Sequence, residues 1–357
     1  MDKVRIGFVG VGRMGQAAHL RNYVTRDDCR VVALAETRPK TARLVADRYG
    51  VGKVYPDHRE LLARERLDGV VACQPFAHHA ALLPEIYPHV RHVLTEKPLA
   101  VWPAAGEALA AAARKAGCVH MVAYHKRSDP ATAHARAVID DWRRTGRVGR
   151  MRYVRILMPP GDWIAGGFEG VLDGGEARPA SPAEPAPADV GAADAEAYTA
   201  FVNYYIHQVN LMRHLLGEPY RLAWADPTGV LLVVESASGT PGTIEMAPYA
   251  TTGSWEESAL IGFDRGRIRL DLPAPLARNR PGAVEVLADP GEGPARHERP
   301  VLPAIDAMRR QAANFVAVCR DEVPPPCDAD EAVADLHAAR HYVRLLEKAR
   351  KQRQNKE

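Results

Sequence analysis

The stretch Val4-Arg5-Ile6-Gly7-Phe8-Val9-Gly10-Val11-Gly12-Arg13-Met14-Gly15 decides the fold. Val4–Val9 is an apolar run long enough for a buried parallel strand. It ends in G-x-G-x-x-G, and Met14–Val24 reads as a helix. Strand, glycine turn and helix in immediate succession are the context in which this pattern signals dinucleotide binding. Gly10 allows the tight turn, Gly12 admits a pyrophosphate where a Cβ would clash, and Gly15 lets helix and strand pack closely. Arg13 and Met14 complete the turn, and the first helical N–H groups face the phosphates. The alternative, a glycine-rich turn without a ligand, is less consistent with that context. Glu36 closes the second strand, 24 residues after Gly12. A carboxylate there accepts hydrogen bonds from both ribose hydroxyls of NAD and repels a 2′-phosphate. Arg38, beyond Thr37, is the residue type that holds such a phosphate. NAD is therefore expected over NADP.

Outward from this turn, strand and helix patterns alternate. Strands are expected at Val31–Ala35, Gly69–Ala72, His92–Leu94 and Val119–Ala123, and helices at Lys40–Tyr49 and Val101–Ala116. This rhythm implies an α/β protein whose N-terminal half is a doubly wound parallel sheet. After Tyr124 the rhythm changes. Helix is expected at Ala131–Arg143 and about Tyr198–Leu216, with strands at Met151–Met158, Arg221–Ala225, Val230–Ser236, Gly242–Met246, Ala259–Phe263 and Arg267–Leu270. Strands without intervening helices suggest an open, mostly antiparallel sheet in an α+β domain. Two helices, about Ala304–Arg320 and Asp328–Arg350, close the chain. The expected division is a dinucleotide-binding domain at 1–124 and a substrate-binding, oligomerising domain at 125–357.

At 357 residues, two domains fit the length. Proline is uneven: six of 28 lie between Pro159 and Pro187, and ten between Pro273 and Pro326. Residues 178–197, rich in Ala and Pro, are expected to form a flexible insert, and Pro273–Pro326 loops and connections. There is no apolar run long enough to span a bilayer and no signal-peptide pattern at the N-terminus. Five scattered cysteines argue against a disulfide framework, so a cytoplasmic location is expected. A net charge of +3 is too small to suggest nucleic acid. The pairs His78-His79 and His207/His214 lack a third ligand at metal-binding spacing, so no metal is expected.

Thr95-Glu96-Lys97-Pro98-Leu99-Ala100 follows the strand at His92–Leu94. Ligands sit at strand C-termini in such sheets. A lysine there, partly desolvated, is a usable proton shuttle; the alternative is an ordinary surface lysine at a turn. Together, the Gly10–Gly15 turn, the Asp68–Pro75 segment with His79 beyond it, Glu96-Lys97-Pro98 and Tyr124-His125-Lys126-Arg127 resemble the Gfo/Idh/MocA oxidoreductase family. The resemblance implies a Rossmann domain followed by an α/β domain whose sheet carries substrate. It implies hydride transfer between a nicotinamide cofactor and a carbinol of a sugar, cyclitol or related polyol, often by homodimers or homotetramers. It makes Lys97 the catalytic acid/base, places His79 near the nicotinamide, and adds Gln74, Pro75 and Glu96 to the cofactor candidates. Tyr124, Lys126 and Arg127 join Lys97 as substrate candidates.

The family's second motif, Asp-x-x-x-His on a helix, matches Asn203-Tyr204-Tyr205-Ile206-His207. Spacing of four puts Asn203 and His207 on one helix face, continued by Asn210 and His214. His207 is then a substrate-facing catalytic residue; the alternative is a core histidine bonded to backbone. Asn203 replaces the family's Asp, so it orients a hydroxyl without carrying charge, with Tyr204 or Tyr205 assisting. That departure leaves two other functions open. One is an NAD-retaining enzyme that cleaves glycosides by transient oxidation and elimination; the other is an NAD-binding regulator without catalysis. Asp162 and Trp163, in Pro159–Gly167, supply either a carboxylate and a stacking face for a sugar or a buttressed loop.

Overall fold

The computed structural model describes residues 2–178, 180 and 184–355. They form two compact units, one drawn from Met1–Tyr124, Gly166–Ala188 and Met308–Leu336, the other from His125–Ala165, Asp189–Ala307 and His337–Glu357. Beyond the change at Tyr124, the chain thus returns twice to the first unit.

The first unit is built on six parallel strands: β1 (Val4–Val9), β2 (Cys29–Ala35), β3 (Val54–Tyr55), β4 (Gly69–Ala72), β5 (His92–Thr95) and β6 (Val119–Val122). Their order is β3-β2-β1-β4-β5-β6. The direction of winding reverses between β1 and β4, the place where such sheets bind ligands beyond the strand C-termini. A wide π-helical turn, Gly15–Leu20, follows the glycine turn and runs into α1 (Arg21–Val24). Then come α2 (Pro39–Tyr49), α3 (His58–Arg64), α4 (His79–Ile86) and α5 (Pro103–Lys115). Local chemistry sets their ends. Pro39 and Pro103 occupy first helical turns, Asp57 Oδ1 accepts Glu60 N–H at 2.9 Å, and Gly50 stops α2 at φ +66°. Ile6, Phe8, Leu34, Val71 and Leu94 form a core that Phe315 and Val316 complete from a distant helix.

The second unit carries β7 (Met151–Leu157), β8 (Tyr220–Ala225), β9 (Leu231–Ser236), β10 (Pro241–Glu245), β11 (Ser258–Phe263), β12 (Gly266–Asp271), β13 (Ala283–Ala288) and β14 (Arg296–Glu298). Their order is β14-β13-β12-β11-β7-β10-β9-β8, antiparallel except at β7/β10. The strands β9 and β11 alternate fully buried and half-buried residues, as expected for a sheet with one face on a core. Its helices are α6 (Pro130–Thr145), α7 (Ala192–Tyr204), α8 (Ile206–Leu216) and the later part of α10 (Ala329–Gln354), whose first turns, together with α9 (Ala307–Cys319), belong to the first unit. Trp142 of α6 packs edge-on against Phe263 with centroids 5.0 Å apart. Among the described residues no helix is long and apolar enough to cross a membrane.

Three expectations need correction. Residues 192–197 are helical, because Ala192-Ala193-Asp194-Ala195-Glu196-Ala197 are good helix formers once the last proline, Pro187, is passed; of the expected insert, Pro179, Ser181, Pro182 and Ala183 lie outside the described residues. The single helix expected over Tyr198–Leu216 is two, broken at Tyr205, whose hydroxyl donates to the Met246 carbonyl. The stretch expected as loops from Pro273 holds β13 and β14; its prolines fall between strands rather than in them.

Candidate cofactor and active site

In the glycine turn, Gly10 takes φ +85°, and a Cβ there would lie 2.7 Å from Gln74 Nε2. A Cβ on Gly15 would lie 2.7 Å from the Gly10 carbonyl oxygen. Gly12 differs: the nearest atom to its Cβ position is Arg38 Nη2 at 3.9 Å, so this side of the turn is open to an approaching group. Arg13 is exposed and Met14 half-buried. The buried Oε1 of Gln74 has no partner, and buried polar atoms normally have one. An open glycine face beside an orphaned acceptor fits a dinucleotide.

At the end of β2, Glu36 is buried and accepts Val11 N–H at 3.0 Å. Arg38 grips the same carboxylate through Nε (2.9 Å) and Nη2 (3.0 Å). Burial pushes the Glu36 carboxyl up, but the hydrogen bonds from Arg38 and Val11 and the Arg38 charge outweigh it and hold the group below the usual range. Thr37 between them is exposed.

Lys97 is half-buried in the turn after β5, next to a cis Lys97–Pro98 bond. Its neighbours fix that turn from two sides. His19 Nε2 lies 2.6 Å from Glu96 Oε1, and Glu96 Oε2 accepts Lys97 N–H at 3.3 Å. Burial raises the Glu96 carboxyl, yet the His19 hydrogen bond and the charges of His19 and Lys97 bring it below the usual range. His79, at the start of α4, is fully buried, and its Nδ1 bonds the Leu99 carbonyl at 2.9 Å. Burial lowers its pKa to about 4, so it is a neutral donor to that carbonyl and braces the Lys97 turn from beneath. Pro75 is exposed.

In the second unit His125–Ser128 form a buried turn, and Tyr124, which precedes it, is buried as well. Lys126 pairs with the fully buried Glu257, whose other oxygen accepts Gln208 Nε2 at 2.7 Å. The Lys126 ammonium lies 5.7 Å from the Trp255 ring centroid. Arg127 Nε donates to Asn210 Oδ1 at 2.7 Å. His207 stands edge-on to His125 with centroids 4.7 Å apart. Thus His125, Lys126, Gln208 and Glu257 lie in one buried polar region, with His207 against His125.

Asn203 is exposed on the last turn of α7, and His207 is the second residue of α8, after the break at Tyr205. Tyr204 is half-buried with its ring edge-on to Tyr205 at 5.0 Å. Asp162 Oδ1 accepts Ile164 N–H and Ala165 N–H, both at 3.0 Å, so this oxygen shapes its own turn. Trp163, half-buried, accepts Leu276 N–H at its carbonyl. Among the described residues no three His, Cys, Asp or Glu converge as a metal site. Sequence reasoning passed over His19, Gln16 and His125. His19 carried a signal, since it follows Gly15 by four residues and so falls one helical turn beyond it.

Residues 4–124 match a family model described as "Oxidoreductase family, NAD-binding Rossmann fold". The chain is 24% identical to inositol 2-dehydrogenase of Rhizobium meliloti over 369 residues, covering 97% of this chain and 98% of that one. It is 24% identical to myo-inositol 2-dehydrogenase of Thermotoga maritima over 249 residues, 68% of this chain and 63% of the relative. Among solved structures, an oxidoreductase domain protein from Kribbella flavida superposes with TM-score 0.71 at 22% identity, covering 99% of this chain and 98% of that one.

Proposed function

We propose that the chain, whose residues 4–124 match the NAD-binding Rossmann fold of an oxidoreductase family, is a Gfo/Idh/MocA-type NAD-dependent dehydrogenase or reductase acting on a CH–OH group of a cyclitol, sugar or related polyol. The observation that carries this reading is the Lys97 turn, which stands at the C-terminal end of β5 and is tied through Glu96 to His19, on the helix that the glycine turn opens. It thus lies at the sheet end where a bound nicotinamide supplies or accepts the hydride. Lys97 takes the proton of the reacting hydroxyl in the oxidative direction and returns it in the reverse. His207 and Lys126 hydrogen-bond the polyol, Asn203 orients it, and Arg127 and Glu257 hold this polar group in place. The inositol dehydrogenases among the relatives favour cyclitols as the first substrates to try. A homodimer or homotetramer in the cytoplasm accords with the family.

The test is a panel of inositols, aldoses and glycosides followed by NADH absorbance. Turnover of a cyclitol or sugar that is lost in Lys97→Ala is the expected result. Full turnover by Lys97→Ala removes the role of Lys97. Release of aglycone from aryl glycosides with no accumulated NADH would replace net oxidation with the cofactor-recycling alternative.

A further inference from the structure

The first unit includes a segment distant in sequence from every cofactor motif, Gly166–Ala188. Its stretch Leu172–Glu176 lies against the glycine turn and the start of α2. Gln16 commits both ends of its amide there: Nε2 donates to the carbonyls of Val11 (2.8 Å) and Leu172 (2.9 Å), and Oε1 accepts Leu172 N–H (2.9 Å). Gly174 N–H donates to Thr41 Oγ1 at 3.0 Å. The approach is so close that a Cβ on Gly174 would lie 2.8 Å from both Lys40 Cβ and Thr41 N. Glu176 then covers the first turn of α2. Its Oε1 accepts Lys40 N–H (3.1 Å), and its Oε2 accepts Thr41 N–H (2.9 Å) and the Thr41 hydroxyl (3.2 Å).

We propose that Glu176 is a cofactor-selectivity residue: with Glu36 it takes up the donors that an adenosine 2′-phosphate requires and so restricts the chain to NAD. This rests on the dinucleotide assignment above. A 2′-phosphate beside the end of β2 needs an arginine and free N–H or hydroxyl donors. Arg38 is the arginine in place, and its Nε and Nη2 are on Glu36, while its Nη1 faces Asp173 Oδ2 at 4.0 Å. The N–H groups that open α2 and the Thr41 hydroxyl are on Glu176. Glu36 is thus bonded to the guanidinium, Asp173 lies 4.0 Å from it, and the charge of Glu176 acts on it from the start of α2. The Glu36 hydrogen bond, and then the charges of all three acids, hold Arg38 more firmly protonated than usual. The ammonium of Lys40 is exposed, where water and salt screen it. A ribose 2′-hydroxyl can donate to Glu36 in this setting, whereas a phosphate meets the charges of Glu36, Asp173 and Glu176.

The test is titration of the full-length protein with NADH and NADPH, read by nicotinamide fluorescence. Like-charge juxtaposition costs several kcal/mol, so wild type should bind NADH at least about tenfold more tightly than NADPH. Glu176→Gln keeps an acceptor for α2 and removes the charge, and should lower the ratio of the two Kd values by about fivefold or more. An unchanged ratio in a variant that melts like wild type overturns the proposal, as does a wild type that prefers NADPH. A measurement on wild type alone guards against misfolding of the variant. AMP should displace NADH at concentrations where adenosine 2′,5′-bisphosphate does not, and equal displacement overturns the proposal. Failure of wild type to bind NADH at all is a different result, and removes the dinucleotide assignment itself.

Discussion

His19 donates from Nε2 to the Glu96 carboxylate across 2.6 Å, joining the helix that follows the glycine turn to the turn that carries Lys97. Both side chains are largely withdrawn from water, so the bond is stronger than a surface ion pair of the same length. Its consequence is positional. Glu96→Gln keeps the shape but loses the charge, and His19→Leu leaves Glu96 without its partner. Each should lower kcat about tenfold or more by letting Lys97 wander from its working geometry. NADH affinity should change much less than kcat. Equal loss in both quantities would mean that the pair serves cofactor binding instead. Steady-state kinetics beside NADH titration separates the two.

The glycines of the turn predict opposite phenotypes. Gly15→Ala drives a methyl against the Gly10 carbonyl, and overpacking of this kind costs about 1–3 kcal/mol. A lower melting temperature without ligand is expected. The Cβ of Gly12→Val has only the end of the Arg38 side chain within 4 Å, so the fold should melt near the wild-type temperature while NADH binding weakens by about tenfold or more through the blocked phosphate approach. Normal NADH affinity in Gly12→Val would place the phosphates elsewhere.

The buried pair Lys126–Glu257 gives a third prediction. Removing one partner strands the other as a buried charge, a loss of about 3–5 kcal/mol. Lys126→Met should therefore be strongly destabilised in denaturant melts. Lys126→Met combined with Glu257→Gln should recover much of that loss, since Gln208 still has a partner at position 257. A double variant no more stable than the single one would show that the lysine stem and its Trp255 contact matter more than the charge.

Acid should destabilise the protein through its buried neutral histidines. Burial lowers His79 to about 4 and His120 to about 3; His120 bridges the Tyr87 hydroxyl (3.0 Å) and Thr95 Oγ1 (2.9 Å). Both values lie below the unfolded value of about 6.5. Between those limits the unfolded chain binds more protons than the folded one, so stability is present above about pH 6.5 and falls as the pH drops toward the folded values. Each such histidine contributes a slope of up to about 1.4 kcal/mol per pH unit. Chemical denaturation at pH 7, 6 and 5 should show the decline. A flat profile would mean that these rings accept protons in place.

The Rossmann half was legible because its signals are local. Gly10, Gly12 and Gly15 state their own backbone requirements, and apolar runs such as Gly69–Ala72 have little choice but a buried strand. The position of the Lys97 turn, at the end of β5, could be read from its neighbours Glu96 and Pro98. The second half was harder, for two reasons. The break at Tyr205 coincides with a hydroxyl bond to the Met246 carbonyl, 41 residues away, and nothing in the 203–207 spacing announces it. Likewise β13 is held by pairing with β12, while the surrounding prolines suggested loop. Glu176 was invisible for the same reason: a lone acid in Asp173-Gly174-Gly175-Glu176 acquires meaning only when the chain brings it to Thr41.

The first unit also constrains how this polypeptide can be made. Tyr23 lies edge-on between Phe8, with centroids 5.4 Å apart, and Phe315, at 6.4 Å. A nascent chain released at Tyr124 would hold every strand of the parallel sheet yet lack the helix that seals it. Such long sequence separation between contacting residues slows folding. A chain growing from its N-terminus therefore cannot complete this core until residues beyond 315 have been made.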